Sequence, residues 1–167
     1  IRLEEIPTML ETRINDFTHE LKRWLVNTFR EDYSIHLALS GGLDSSSLLI
    51  SFSKYFQLKS HTLELPGSVD ASLSKKIANK VGVQHFSHQV TESEIKSALS
   101  NAPIQCEDWR DFNVHCAALN IMLGKKIIKD SGKLNIIVTG DLMNEFVCDY
   151  KEENYEGKRF YKLPNIN

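Results

Sequence analysis

Apolar residues recur at three- and four-residue steps through Ile6, Leu10, Ile14, Phe17, Leu21, Trp24 and Leu25, and this spacing predicts a long amphipathic helix over residues 4–30. The pattern then changes. Ser34 to Leu39 is a short apolar run of the kind expected for a buried strand, and Ser46 to Phe56 returns to helical spacing. A second strand is expected over Ser60 to Leu65, closed by the breaker pair Pro66-Gly67. Leu73, Ile77, Ala78 and Val81 form one stripe of a helix from Asp70 to Val81, which Gly82 caps. Val83 to Val90 reads as a third strand, and Thr91 as the N-cap of a short helix through Leu99 that Asn101-Ala102-Pro103 stops. A long stripe over Phe112 to Lys129, a turn at Ser131-Gly132-Lys133 and a buried strand over Leu134 to Val138 complete the series.

Strands alternating with helices imply an α/β fold with a parallel sheet covered by helices on both faces. Right-handed crossovers place the C-terminal end of every strand on one rim. The loop that begins at Ser40 and the segment Thr139-Gly140-Asp141 both follow strands, so both are expected on that rim, where open α/β sheets bind ligands. The expected organisation is an N-terminal helix over 1–33 packed on a core domain over 34–150. The expectation for 151–167 is a polar, irregular tail of the kind that continues in a longer chain. No internal repeat or low-complexity stretch is present.

Between the first strand and its helix lies Leu39-Ser40-Gly41-Gly42-Leu43-Asp44-Ser45-Ser46. Gly41 and Gly42 allow positive φ and a close approach of backbone to an anion. Ser40, Ser45 and the free N–H groups at the helix start can donate to phosphate oxygens, helped by the positive end of the helix dipole. Asp44 adds a hard oxygen ligand, which beside phosphates suits Mg²⁺. A bare strand-to-helix turn would need neither the carboxylate nor two hydroxyls. The loop has no lysine at the Walker A position, so it is not that phosphate loop.

Bulk properties narrow the partner more than the fold. With 167 residues, 41% of them hydrophobic and 25% charged, the chain is long enough for one domain with a real core, and disordered or collagen-like classes are excluded. A formal charge of −2 gives no basic field for nucleic acid. Cys106, Cys116 and Cys148 are odd in number and lack C-x-x-C spacing, which argues against a disulfide framework, against structural zinc and for a reducing compartment. No apolar run approaches a membrane span and the first residues do not read as a signal peptide, so a cytoplasmic protein is expected.

Ser-Gly-Gly-x-Asp-Ser resembles the pyrophosphate loop of the N-type ATP pyrophosphatases, which split ATP between the α and β phosphates. Three further stretches narrow the resemblance to the synthetase domain of asparagine synthetase and its relatives, including β-lactam synthetase. These are Leu65-Pro66-Gly67-Ser68 with Asp70, then Val81-Gly82-Val83-Gln84-His85, and Thr139 to Tyr150. The similarity covers about Leu37 to Tyr150. It implies an adenine nucleotide alpha-hydrolase-like (PP-loop) fold and an ATP-dependent, AMP- and pyrophosphate-forming amide-bond synthetase. It also implies that Leu39, Ser40, Gly41, Gly42, Asp44, Ser45, Leu63, Thr139 and Gly140 surround ATP, that Asp44 and Asn144 flank Mg²⁺, and that Asp141 or Glu145 handles the proton of the attacking amine.

The family pattern is altered at two of these positions. Asn144 stands where the family has Asp and offers a carbonyl oxygen without charge, and Asp141 stands where the family has Glu and is one methylene shorter. Nothing in the sequence resembles the family's glutaminase domain. The expected partners are therefore a small-molecule carboxylate and ammonia or an amine, with a separate glutaminase or carrier protein and self-association left open. Lys158, Arg159 and Lys162 are candidates by charge for the family's pyrophosphate-binding lysine, weighed against a solvated tail. An alternative is a nucleotide-binding module with weak or no catalysis that acts through a partner. A tRNA thiolase or NAD synthetase activity fits less well, given the acidic charge, the unpaired cysteines and the Thr139 to Tyr150 segment.

Other candidates have plainer readings. His85 and His88 fall on opposite faces of a strand and cannot chelate one ion together. His115 and Cys116 are adjacent on a helix and diverge, so a thiolate–imidazole pair is not expected. Trp109 and Arg110 precede that helix near the rim and either contact substrate or pack.

Overall fold

A computed structural model describes residues 6–29, 33–128, 134–141 and 151–162. In chain order the elements are α1 (Ile6–Phe29), β1 (Tyr33–Ala38), α2 (Leu43–Ser53), β2 (Leu58–Glu64), α3 (Asp70–Val81), β3 (Gln84–Gln89), α4 (Glu92–Cys106), α5 (Asp111–Ile128), β4 (Leu134–Val138), β5 (Lys151–Tyr155) and β6 (Lys158–Lys162). β1 to β4 form one sheet in the order β3-β2-β1-β4, with every pairing parallel. The chain builds outward from β1 to β3, then crosses back to add β4 on the other side. The strand order therefore reverses between β1 and β4, which is where a doubly wound sheet opens a crevice.

The two faces of the sheet differ in chemistry. Side chains alternate along each strand, so register sorts them by face. One face carries Ile35, Leu37 and Leu39 with Leu58, which pack with Leu49 and Phe56 from α2 and its C-terminal turn, Ala78 of α3 and Leu25 of α1. The other face is covered by the α4–α5 pair. There Leu63 and Leu65 meet Ala98, Ala102, Ala118 and Met122, and Gly124 lets α5 approach Ile137 of β4 to ordinary van der Waals distance. Small residues at the α4–α5 contact let the two backbones come close.

Most elements fall within a few residues of their expected bounds, and three differences are instructive. α2 begins at Leu43, three residues earlier than the apolar pattern implies, with Gly42 as its N-cap. Asp44 and Ser45 therefore sit in the first helical turn, because the loop before them is shorter than the motif suggests. α4 does not stop at Pro103 but runs on to Cys106 and ends at Glu107 with a positive φ. A proline removes one N–H and crowds one carbonyl, but Ala98 and Ala102 are buried and their stripe carries the helix on. Its start is as expected: Thr91 and Glu94 form a reciprocal capping box.

The third difference lies in the tail. Residues 151–162, expected to be irregular, form an antiparallel hairpin with Tyr155 opposite Lys158. Its two central residues, Glu156 and Gly157, both have positive φ. That is the geometry of the primed turns whose twist matches a hairpin. Glu at the first central position hid the signal that an Asn or Asp there would have given.

Candidate nucleotide site

The end of β1 is pinned before the loop departs. Leu39 donates its N–H to the His61 carbonyl at 2.8 Å, and its own carbonyl accepts from the Ser74 hydroxyl at 2.9 Å and from the Thr62 hydroxyl. Ser74 and Thr62 are buried, so two elements, α3 and β2, fix one carbonyl. The chain then turns through Gly41 at φ +85°. A Cβ at Gly41 would meet Leu73 Cγ at 2.9 Å, and an L side chain at this φ is strained in any case. Replacing Gly41 by Val is therefore expected to displace the loop and weaken ATP binding by tenfold or more. Thermal melting should fall by only what about 1–3 kcal/mol of local strain implies. Calorimetric titration with ATP and Mg²⁺ beside a melting curve separates the two effects.

Within the loop the hydroxyls hold one another. Ser40 Oγ and Ser45 Oγ lie 3.1 Å apart, Gly42 N–H donates to Ser40 Oγ at 3.3 Å, and Ser45 Oγ donates to the Gly42 carbonyl at 3.3 Å. No side chain caps the first turn of α2. The helix thus begins without a side-chain acceptor for its leading N–H groups, which are the groups that bind anions at a helix start. Ser40 and Ser45 shape the turn and leave that end open.

Across the crevice, Thr139 and Gly140 follow β4. Gly140 fits closely against the start of α2: a Cβ there would lie 3.4 Å from Asp44 Cβ and 3.4 Å from the Ser45 nitrogen. The two rim segments are thus in close contact, with little room between them for a side chain at this position. Together with the end of β2 and the middle of α5 they enclose an open cavity of about 300 Å³. Leu39, Ser40, Gly42, Asp44, Ser45, Leu63, Thr139, Gly140 and Asp141 all line it. Gly41 acts behind the wall through its backbone. Asn144 and Glu145 lie outside the described residues.

Several lining residues were not legible from the motifs. Asp70 opens α3 just after the Pro66-Gly67 turn, and only the resemblance pointed to an acid there. Leu119, Asn120 and Leu123 come from α5, far from either motif in sequence. Asn120 Nδ2 donates to Asp141 Oδ2 at 2.9 Å. Cys116 lies one turn earlier on α5, and its thiol is pushed up by burial and by the negative charge of Asp141. His61 and Thr62 line the floor. Trp109 is 82% exposed and Arg110 is paired with Asp108, so neither reaches the cavity lining.

His61 belongs to a row of imidazoles across three strands. His36 Nδ1 lies 2.8 Å from His61 Nε2, and His61 Nδ1 lies 2.9 Å from His88 Nε2. His61 also stacks on Phe86 and His88, at 5.1 and 5.2 Å between ring centroids. His85 points to the other face and meets the Ser60 hydroxyl at 3.0 Å. The opposite directions expected for His85 and His88 are therefore observed. Burial first, and then the neighbouring imidazoles His36, His88 and His85 with Lys59, push His61 down to about 3. His36 and His85 are pushed down as well, chiefly by burial.

The site's fit to Mg²⁺ can be read from its donors. Asp44, Asp70 and Asp141 give the cavity hard oxygen ligands, but among the described residues no three His, Cys, Asp or Glu side chains converge to hold an ion alone. This matches a magnesium ion shared with substrate phosphates, which takes one or two protein carboxylates and retains water. Among the described residues, Cys106 and Cys116 are free thiols, and no helix is long and apolar enough to cross a membrane.

Comparison with known proteins bears on the family and the fold. The family model for asparagine synthase matches residues 17–163. Asparagine synthetase B (glutamine-hydrolysing) of Escherichia coli K12 is 24% identical over 166 residues, covering 90% of this chain. The chain spans 28% of that relative's length. Among solved structures, the NH3-dependent NAD synthetase of Campylobacter jejuni superposes with a TM-score of 0.55 at 13% identity, over 84% of this chain and 60% of that one. The NMN synthetase of Francisella tularensis gives 0.51 at 14% identity, over 82% and 58%. At these identities the likeness establishes the fold, an adenine nucleotide alpha-hydrolase-like α/β sheet.

Proposed function

The chain belongs to the asparagine synthase family, and from that premise we propose that it carries the ATP-binding, amide-forming half of a carbon–nitrogen ligase that releases AMP and pyrophosphate. The observation that supports this most is the uncapped start of α2, in contact with Gly140 across the cavity at the sheet's reversal point. A triphosphate laid there has its leaving phosphates against fixed N–H groups and its nucleoside toward Leu39 and Leu63.

In the first step a carboxylate oxygen of the acyl substrate attacks the α-phosphorus of ATP, and the bond from that phosphorus to the β-bridging oxygen breaks. Negative charge builds on the departing pyrophosphate. The N–H groups at the start of α2, on a turn that the Ser40 and Ser45 hydroxyls hold in shape, already face that charge and need little reorganisation. Asp44, with Asn144 as a neutral ligand by resemblance, would hold a Mg²⁺ ion, which when bound would neutralise charge on the phosphates. In the second step ammonia or an amine attacks the acyl carbon, the bond to AMP breaks, and the amine's proton passes to a carboxylate, Asp141 in our assignment. Glu145 is the alternative acceptor by resemblance.

The decisive assay incubates the protein with ATP, Mg²⁺, ammonia and a panel of carboxylates that includes L-aspartate, and measures AMP and pyrophosphate. Both products are expected in equal amounts and dependent on one carboxylate. Neither forming with any carboxylate would overturn the ligase assignment. Asn144 favours a second reading, a nucleotide-binding module that acts through a partner. In that case ATP binds without turnover, and Asn144→Asp tightens metal binding without harming any existing reaction.

A further inference from the structure

We infer that Asn120 of α5 is a positioning residue for the amide-forming step, holding the Asp141 carboxylate by one oxygen so that the other is left to take the amine's proton. This rests on the reading of Asp141 as proton acceptor given above. The geometry is specific. Asn120 Nδ2 donates to Asp141 Oδ2 at 2.9 Å, and both residues line the nucleotide cavity. The two side chains come from elements with no local relation in sequence, α5 and the segment after β4.

The helix that carries Asn120 is firmly seated. Met122, Leu123 and Ile127 are each 5% exposed or less, and Gly124 brings the helix down beside Ile137 of β4. β4 in turn leads straight into Thr139-Gly140-Asp141. The donor and acceptor are thus fixed to the same piece of core. Asp141 is itself exposed to the cavity, so without a partner its short side chain would sample several rotamers. A base needs its accepting oxygen within hydrogen-bond reach of the proton it removes, and orientation losses of this kind are costly.

An amide suits this task better than a cation. It donates one hydrogen bond but brings no charge, so it orients the carboxylate without neutralising it. The surroundings agree: burial and the Asp141 charge push the Cys116 thiol, one turn away on α5, upward, so the thiol does not compete for the proton. In the step itself the amine nitrogen bonds to the acyl carbon and the carbon–oxygen bond to AMP breaks. The N–H proton goes to Asp141 Oδ1, and AMP leaves with the electron pair.

The test uses the carboxylate that releases AMP in the assay above, with two nitrogen nucleophiles. Ammonia needs a base to lose its proton during attack. Hydroxylamine is a stronger nucleophile and demands less of one, so it traps the acyl-adenylate as a hydroxamate. Asn120→Ala is expected to lower ammonia-dependent amide formation by about tenfold, a typical loss for an orienting partner, and hydroxamate formation by a much smaller factor. Asn120→Asp keeps the shape but loses the donor and sets a second carboxylate against Asp141, so it should fall further still. Equal losses with both nucleophiles, or Asn120→Asp outperforming Asn120→Ala, would show a merely structural residue and overturn the inference. Asp141→Asn separates this from the parent reading. If it retains ammonia-dependent amide formation, Asp141 is not the acceptor. If it is inactive while both Asn120 variants match the wild type, Asp141 needs no positioning.

Discussion

Asp44→Asn should lower pyrophosphate release by about a hundredfold to a thousandfold, the range typical of removing one preorganised electrostatic partner of a transition state. The substitution preserves shape and leaves a carbonyl oxygen, so what it removes is charge. Asp44 sits in the first turn of α2, partly buried, where a carboxylate also complements the helix dipole. That second role is worth only about 0.3–1 kcal/mol, so the variant should fold and melt close to wild type. The two roles separate in one experiment. Magnesium titration of pyrophosphate release should move to higher metal concentration, while the melting temperature in the absence of nucleotide shifts by a few degrees at most. Near-normal turnover at ordinary magnesium would remove Asp44 from the metal site and leave only the dipole.

The second large effect is on stability as the solution is acidified. His36, His61 and His88 share two hydrogen bonds, and each needs a donor on one ring and a lone pair on the other. Burial first, and then the neighbouring imidazoles and Lys59, disfavour charge on His61 and hold it at about 3, whereas in the unfolded chain the same group takes up its proton near 6.5. Because the unfolded state binds more protons below 6.5, folding weakens as pH falls through that value and stops weakening near 3. At about 1.4 kcal/mol per unit of pH, His61 alone accounts for roughly 2 kcal/mol by pH 5. His36 and His85 act in the same direction.

Between pH 6.5 and 5 this loss is free of any contribution from Glu94. Glu94, held down to about 2 by hydrogen bonds from Lys126 and then Thr91, loses its contribution only below its ordinary value of 4.5. Urea denaturation at pH 7.5, 6.5 and 5 should show a flat region followed by a steep loss. His61→Phe should be less stable at pH 7.5, because His36 and His88 each lose a partner, yet should lose less on acidification. Equal wild-type stability at pH 7.5 and 5 would mean that the row accepts charge without penalty.

Local patterns carried the α/β architecture because each helix and strand of the sheet domain has its own period and its own breaker. Gly82 takes the left-handed conformation that ends α3, and Thr91 caps α4 as its position after a strand implied. Pro103 misled because a breaker acts locally, whereas burial of Ala98 and Ala102 against α5 is a tertiary gain. The Ser40 to Ser46 loop stood out for a similar reason, since glycine, hydroxyl and carboxylate sit at fixed spacing, and the structure puts that loop on the wall of the cavity. What sequence could not supply was lateral neighbourhood. Ala38 pairs with His61 and Leu63 with His88 only once the strands are in register, and no spacing along the chain announces that His36, His61 and His88 will meet. Asn120 was equally invisible, since an amide on a helix is ordinary until a partner from another segment lies beside it.

The reversed strand order has a consequence for how the protein matures. β1 emerges early and pairs with β2, but the crevice beside it is not walled until β4 arrives from the far end of the domain. Contacts so distant along the chain form late, because the loop between them must close first. A nascent polypeptide released short of Gly140 would therefore hold the Ser40 to Ser46 loop and still lack the opposite wall of the cavity. Under the function proposed above, affinity for ATP then reports whether synthesis and folding have reached completion.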